Sequence, residues 1–131
     1  MKYLLDTNIV IHYFKGVEAT VSFIRNVGLD SCSVSEVTIA ELLYGAYKSV
    51  KMEANLALIN SFKSSINVIE ISPILNEYGK QKATLAKNGR IIDDFDLLIG
   101  CTSIVYKLTM VTRNIRHFEN LKGIKLSKDM L

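Results

Sequence analysis

The sequence predicts an α/β fold in which a mostly parallel sheet is covered by helices on both faces. Three observations carry this. Short branched apolar runs alternate with longer segments whose apolar residues recur at helical spacing, the pattern of strand–helix–strand units. The 131 residues include 1 proline and 7 glycines, so helices run unbroken and connections are short. Hydrophobic residues make up 49% of the chain, enough for one core without disulfides and for a single domain over residues 1–131.

Taken in order, residues 2–5 form a short buried strand. Thr7 or Asn8 caps a helix that follows to Phe14 and ends at Gly16. A second helix, 17–26, sets Val21 and Ile24 on one face and stops at Gly28. Residues 31–34 form a strand. Ser35 then opens a helix to 48, with Val37, Leu42, Leu43 and Ala46 at its apolar positions. The stretch 51–64 is helical on Leu56, Ile59 and Phe62, and 67–71 is a strand rich in branched residues. Pro73 suits the first turn of a helix running to 87, which Asn88-Gly89 ends. Asp93 caps a helix over 94–107, with Phe95, Leu98, Ile99, Thr102 and Val105 or Tyr106 as its stripe. A strand at 108–112, a helical turn at 116–120 and a strand at 124–126 complete the chain. There is no repeat, low-complexity stretch or linker, so no domain boundary is placed.

The formal net charge is +3, which allows a polyanionic substrate without demanding one. Cys32 and Cys101 lie in apolar surroundings without metal-ligand spacing. They read as buried thiols, not as a bridge or a nucleophile, and fit a reducing compartment. No apolar run approaches a membrane span. Asp6 breaks the first apolar run too early for a signal peptide, so a cytoplasmic location is expected. No glycine-rich phosphate loop and no nucleophile elbow occur.

The acidic residues are more informative. Asp6 lies just past the first strand, where parallel sheets bind ligands. Alone it reads first as a helix cap, and a strand-end aspartate this early also suits a phosphoacceptor. Glu41 sits mid-helix between Ala40 and Leu42; alone it reads as a surface glutamate. Asp93, Asp94 and Asp96 crowd one helix start, and the helix dipole accounts for one or two of the three. Asp93 and Asp96 share a face, whereas Asp94 points elsewhere. Gly45 and Gly100 each lie one turn beyond an acid. They read as points of close approach, by another backbone at Gly45 and by a neighbouring strand at Gly100. Should Asp6, Glu41 and Asp96 converge, their charges repel and raise one another's pKa. A Mg²⁺ or Mn²⁺ ion turns such a cluster into an oxygen-ligand site whose water is activated for attack on phosphorus. His12 reads as a packing residue and His117 as a neighbour of the site, with a metal-free, two-histidine ribonuclease as the lesser alternative.

Four segments stand in order: Leu5-Asp6-Thr7-Asn8, Ser35-x-x-Thr38-x-x-Glu41-Leu42-x-x-Gly45, Gly89-Arg90-x-Ile92-x-Asp94-Phe95-Asp96-Leu97-Leu98-Ile99-Gly100, and Val111-Thr112-Arg113-Asn114-x-x-His117-Phe118. Together, over residues 4–124, they resemble the PIN domain and, within it, the VapC-type toxins of bacterial toxin–antitoxin pairs. The resemblance implies a three-layer α/β/α sandwich and a Mg²⁺- or Mn²⁺-dependent endoribonuclease leaving a 5′-phosphate and a 3′-hydroxyl. It carries the catalytic and metal-binding roles onto Asp6, Glu41 and Asp96, with Thr7, Asn8, Thr38, Thr112, Asn114 and His117 in support. Family members often carry a fourth acid at position 114 or 117. This chain has neither, and Asp94 is the carboxylate expected to replace it at the metal. Arg90, Arg113 and Arg116, with Lys80, Lys82 and Lys87, are candidates for contact with the RNA backbone. The resemblance further implies a homodimer and a cognate antitoxin whose C-terminal segment covers the acidic pocket, with 17–27 and 56–62 as apolar surfaces for it. Two other readings stay open. One is a catalytically degenerate PIN-like module that binds RNA or a partner. The other is a receiver-like domain phosphorylated on Asp6, although Thr112-Arg113-Asn114 lacks the lysine such a domain places there.

Overall fold

The first strand, β1 (Tyr3–Leu5), leads straight into helix α1 (Thr7–Phe14), and Asp6 caps that helix in an extended conformation. Thr7 and Asn8, the expected caps, lie inside the first turn. These elements belong to a computed structural model that describes residues 1–127; residues 128–131, which the single-domain expectation includes, lie outside the described residues. Helix α2 (Glu18–Val27) ends at Gly28, whose φ of 86° is left-handed. Residues Leu29–Ser31 then wind into one 3₁₀ turn, so strand β2 (Cys32–Ser35) begins one residue later than expected. Ser35 closes β2 and caps helix α3 (Glu36–Tyr47), its hydroxyl accepting the Val37 N–H at 3.0 Å.

Helix α4 (Met52–Lys63) returns to strand β3 (Asn67–Ile69). That strand stops short of 71 because the Ile71 N–H donates to Glu36 Oε1 at 2.9 Å instead of to a strand partner. Pro73 sits in a separate 3₁₀ turn, Ser72–Ile74, ahead of helix α5 (Leu75–Lys87). Asp93 caps helix α6 (Asp94–Val105), accepting from the Phe95 and Asp96 amides. The helix ends before 107, where Lys107 takes a φ of 55° and turns the chain into strand β4 (Thr109–Val111). A short helix, α7 (Ile115–Phe118), and strand β5 (Lys125–Leu126) follow.

The five strands order as β3-β2-β1-β4-β5, and every adjacent pair is parallel. The chain winds outward from β1 to β3, crosses back, and lays β4 on the other side of β1. Between β1 and β4 the winding reverses, which opens a crevice beyond their carboxyl ends. Successive residues of β1 point to opposite faces. Leu5 joins one core with Val34, Ile59 and Phe62, and Leu4 joins the other with Leu97, Met110 and Phe118. The result is the three-layer α/β/α sandwich. Within segments 17–27 and 56–62, Ile24, Ile59 and Phe62 are buried in the first core, whereas Leu58 is 43% exposed. No helix among the described residues is long and apolar enough to cross a membrane.

The two glycines beyond the acids differ. A Cβ on Gly100 lies 2.5 Å from Leu121 Cδ1 and 3.2 Å from Phe118 Cδ1, so the close neighbours are α7 and the turn after it, not a strand. A Cβ on Gly45 meets nothing within 4 Å, and no backbone approaches there. Gly45→Ala should therefore stabilise the protein by about 0.5–1 kcal/mol through helix propensity alone. Gly100→Ala should destabilise it by about 1 kcal/mol, because overpacking the buried Leu121 and Phe118 costs about 1–3 kcal/mol and outweighs the same gain. Urea unfolding of both variants reads the two signs; stabilisation by Gly100→Ala contradicts tight α6–α7 packing.

Candidate active site

The crevice between β1 and β4 is floored by Asp6, only 4% exposed. Its Oδ1 accepts the Thr7 N–H at 2.9 Å, and its Oδ2 accepts the Thr112 hydroxyl at 2.8 Å. Thr112 Oγ1 in turn accepts the Asn114 N–H at 2.9 Å. One carboxylate thus ties the exits of two neighbouring strands.

Helix α3 brings Glu41 to the same place. The Thr7 hydroxyl donates to Glu41 Oε1 at 2.6 Å, a short charge-assisted bond. Thr7 Oγ1 also lies 2.9 Å from Thr38 Oγ1. A threonine hydroxyl has one proton, and that of Thr7 goes to Glu41, so Thr38 donates to Thr7. The relay Thr38–Thr7–Glu41 fixes the glutamate. From α6, Asp96 faces the group half-buried, with its Oδ2 3.3 Å from His117 Nδ1.

All three carboxyl groups are held above the ordinary carboxylate range. For Asp6 the main cause is burial, reinforced by the charge of Asp96 and opposed by the Thr112 and Thr7 hydrogen bonds. Burial also leads for Glu41, with Asp96, Asp6 and Asp93 adding to it and Thr7 opposing. Burial and then Asp93 raise Asp96, against His117. Each acid lies in the field of another, and negative charge is in excess.

Among the described residues no three His, Cys, Asp or Glu side chains meet closely enough to ligate one ion unaided. A hard cation of the Mg²⁺ type needs no such cage, since it takes one or two carboxylates and keeps several waters. A donor set of carboxylate oxygens suits Mg²⁺ or Mn²⁺ and not a thiophilic metal. The cysteines offer no competing chemistry. Burial, then a nearby acid, pushes the Cys32 thiol up to about 11 and the Cys101 thiol up to about 12, so neither yields a thiolate at neutral pH. His12 keeps its Nδ1 buried without a hydrogen-bond partner among the described residues, whereas Asp6 and Asp96 both respond to His117.

Asp94 requires a correction. Its Oδ1 accepts from Tyr78 Oη at 2.8 Å and from Lys82 Nζ at 2.8 Å. The Lys82 hydrogen bond, then that of Tyr78, holds its pKa below the ordinary range. The first position of α6 aims Asp94 at α5, away from the other acids, so its geometry does not support a ligand role. Lys82 is engaged there and Lys80 pairs with Glu77 at 3.4 Å, which leaves both less suited to phosphate than the sequence suggests. Lys87, Arg90, Arg113 and Arg116 are exposed. Asn8 is exposed on α1, and Asn114 contributes its backbone N–H.

Asp93 is the residue that sequence reasoning undervalued. It caps α6, yet its charge also reaches Glu41 and Asp96. The i, i+3 spacing to Asp96 was the available signal.

The PIN domain family matches residues 3–124. The tRNA(fMet)-specific endonuclease VapC of Shigella flexneri is 37% identical over 126 residues, spanning 95% of this chain and 96% of that protein. Ribonuclease VapC2 of Haemophilus influenzae is 37% identical over 128 residues, again 95% of this chain and 96% of the relative. The crystal structure of DNA-bound VapBC from Salmonella typhimurium superposes with a TM-score of 0.90 at 32% identity, covering 97% of each chain. Likeness over almost the whole length, in sequence and in fold, means that the chain belongs to the PIN domain family, among the VapC ribonucleases.

Proposed function

We propose that this protein is a Mg²⁺- or Mn²⁺-dependent endoribonuclease, the toxin of a VapBC pair, with Asp6, Glu41 and Asp96 as its catalytic acids. One observation carries the reading: three partly desolvated carboxyl groups, two anchored by threonines and the third beside His117, share one negative field where the sheet opens its crevice. Asp6 and Asp96 would hold the ion. When bound, the cation neutralises the shared charge, polarises the phosphodiester and makes a water more acidic. Glu41, oriented by Thr7, positions the attacking water and accepts its proton; a carboxyl pKa raised by burial suits that task. In-line displacement of the sugar oxygen leaves a 5′-phosphate and a 3′-hydroxyl.

Transfer RNA is the substrate to assay first, because relatives at 37% and 32% identity are named as tRNA(fMet)-specific endonucleases. The cognate antitoxin is the protein partner, since similar chains were solved as VapBC complexes. We assign the chain a homodimeric, cytoplasmic state and a single domain over residues 1–131. Asn114 and His117, standing where relatives often carry an acid, favour one alternative, a PIN-like module that binds RNA without cutting it.

Asp6→Asn and Asp96→Asn should each lower cleavage by about a hundredfold or more with unchanged circular dichroism. EDTA should abolish wild-type cleavage and Mg²⁺ restore it. Cleavage that persists in excess EDTA rejects the metal-dependent mechanism, and RNA binding without any cleavage supports the binding module. A mass gain on Asp6 with a small phosphodonor supports the receiver reading. Thr7→Val should cost about tenfold in kcat by freeing Glu41, and Thr7→Ser should recover most of it.

The raised carboxyl groups also set a pH dependence. A carboxyl whose folded pKa lies above its unfolded value binds its proton more tightly in the folded state. It contributes stability at low pH and loses it as pH rises through the folded value. As pH rises through these folded values the metal-free fold therefore takes on the repulsion. Asp96→Asn should raise Tm at pH 7 in EDTA, and the gain should shrink as pH falls through the carboxylate range. A Tm difference that stays constant with pH argues against the coupled cluster.

A further inference from the structure

Beside Asp96 a cleft of about 290 Å³ opens between the loop after α5 and the outer side of α7. Leu85 and Leu121 line it, and both are buried. Ile92 is half-buried beside them, whereas Ile91 stands at the lip almost fully exposed. Arg90 comes from the loop, and Arg116, His117 and Asn120 come from α7 and the turn after it. Asp93 and Asp96 close the end nearest the acid cluster.

The chemistry of this lining is specific. Arg90 and Arg116 form no ion pair among the described residues, and the Asn120 amide makes no hydrogen bond to a described residue. An apolar strip beside two free guanidinium groups and one free amide matches a single nucleotide, whose base has a flat apolar face and a polar edge and whose phosphate is anionic. Proteins read single-stranded RNA in this way, with splayed bases stacked on apolar or guanidinium planes and hydrogen-bonded at their edges. The volume is at the small end of the roughly 300–1,000 Å³ of small-molecule sites, which is room for one nucleoside and not for a duplex. A peptide carboxylate is a poorer occupant, since it brings no flat apolar face to lie along the strip.

We infer that this cleft is a nucleotide subsite for the unpaired residue next to the scissile phosphate, in which Asn120 reads the base edge and Arg90 and Arg116 hold the adjoining phosphate. This rests on the ribonuclease reading of the neighbouring acids and gives that site a specificity-determining residue.

The test uses the full chain and a panel of single-stranded RNA oligonucleotides that differ at one position around the cut. Fluorescence anisotropy in EDTA across a salt series reads binding without cleavage, and steady-state kinetics in Mg²⁺ read turnover. Arg90→Gln should raise KM about tenfold, the effect of one lost charge-assisted bond, with much less change in kcat. It should also flatten the slope of log affinity against log salt by about 0.7, the value for one phosphate contact on a single strand. Asn120→Ala should erase about tenfold of base preference at one position beside the cut and leave the salt slope alone. Lys63→Gln, an exposed change on α4, should alter neither. Base preference untouched by Asn120→Ala together with a salt slope untouched by Arg90→Gln overturns the subsite. So does a loss of antitoxin binding in these variants with RNA binding intact. Wild-type protein that binds the panel with these dependences in EDTA but never cleaves in Mg²⁺ defeats the nuclease reading and leaves the subsite standing.

Discussion

The Asp6 carboxylate holds this molecule's functional end together. One of its oxygens closes the first turn of α1 through the Thr7 N–H, and the other receives the Thr112 hydroxyl from beyond β4. Residues 106 apart in the chain are joined at the point where the direction of winding reverses. An apolar residue at position 6 would leave the Thr112 hydroxyl and the first amide of α1 without this acceptor, a cost of about 1–3 kcal/mol for each group left unsatisfied. Asparagine fits the space and keeps one acceptor oxygen, but its amide nitrogen replaces the second and removes the charge. The geometry asks for an anion here, and burial makes the anion expensive.

That expense is spread across the site. Two hydrogen bonds oppose the desolvation of Asp6, yet its pKa stays raised. Glu41 receives one hydrogen bond, through Thr7, and is raised as well. Sequence and fold have placed threonines, not lysines or arginines, against these two acids. Hydroxyls orient a carboxylate without neutralising it, so the negative field survives. A site built for stability alone would have paired the charges. This one leaves the charges unpaired, the compromise between stability and activity that functional sites commonly strike.

Much of this was legible in the chain, for identifiable reasons. The strand at residues 2–5, the Ser35 and Asp93 caps and the helices around Glu41 and Asp96 follow from local patterning that tertiary packing did not override. Asp6, Glu41 and Asp96 stood out because each occupies an otherwise apolar segment, where an unpaired charge needs a reason. The failures were non-local. The end of β3 depends on the Glu36 side chain, 35 residues away from Ile71. The open space around Gly45 and the crowding around Gly100 look alike in sequence, since both are glycines one turn beyond an acid. Which face α7 covers could not be read from spacing.

The three aspartates at the start of α6 show how a helix sorts like residues into unlike tasks. Each step along a helix turns a side chain by about 100°. Asp93, before the first turn, folds back onto the Phe95 and Asp96 amides. Asp94 swings outward to Tyr78 and Lys82, where it fastens α6 to α5 and has its charge balanced at the surface. Asp96 lies about 200° beyond Asp94 and so faces the crevice, next to His117. Neutralising Asp94 on α5 keeps a further negative charge from adding to the repulsion at Asp96 and fixes the angular position of the helix that presents it. Composition counts three equivalent acids in four residues; helical phase makes one a cap, one a fastener and one a member of the cluster.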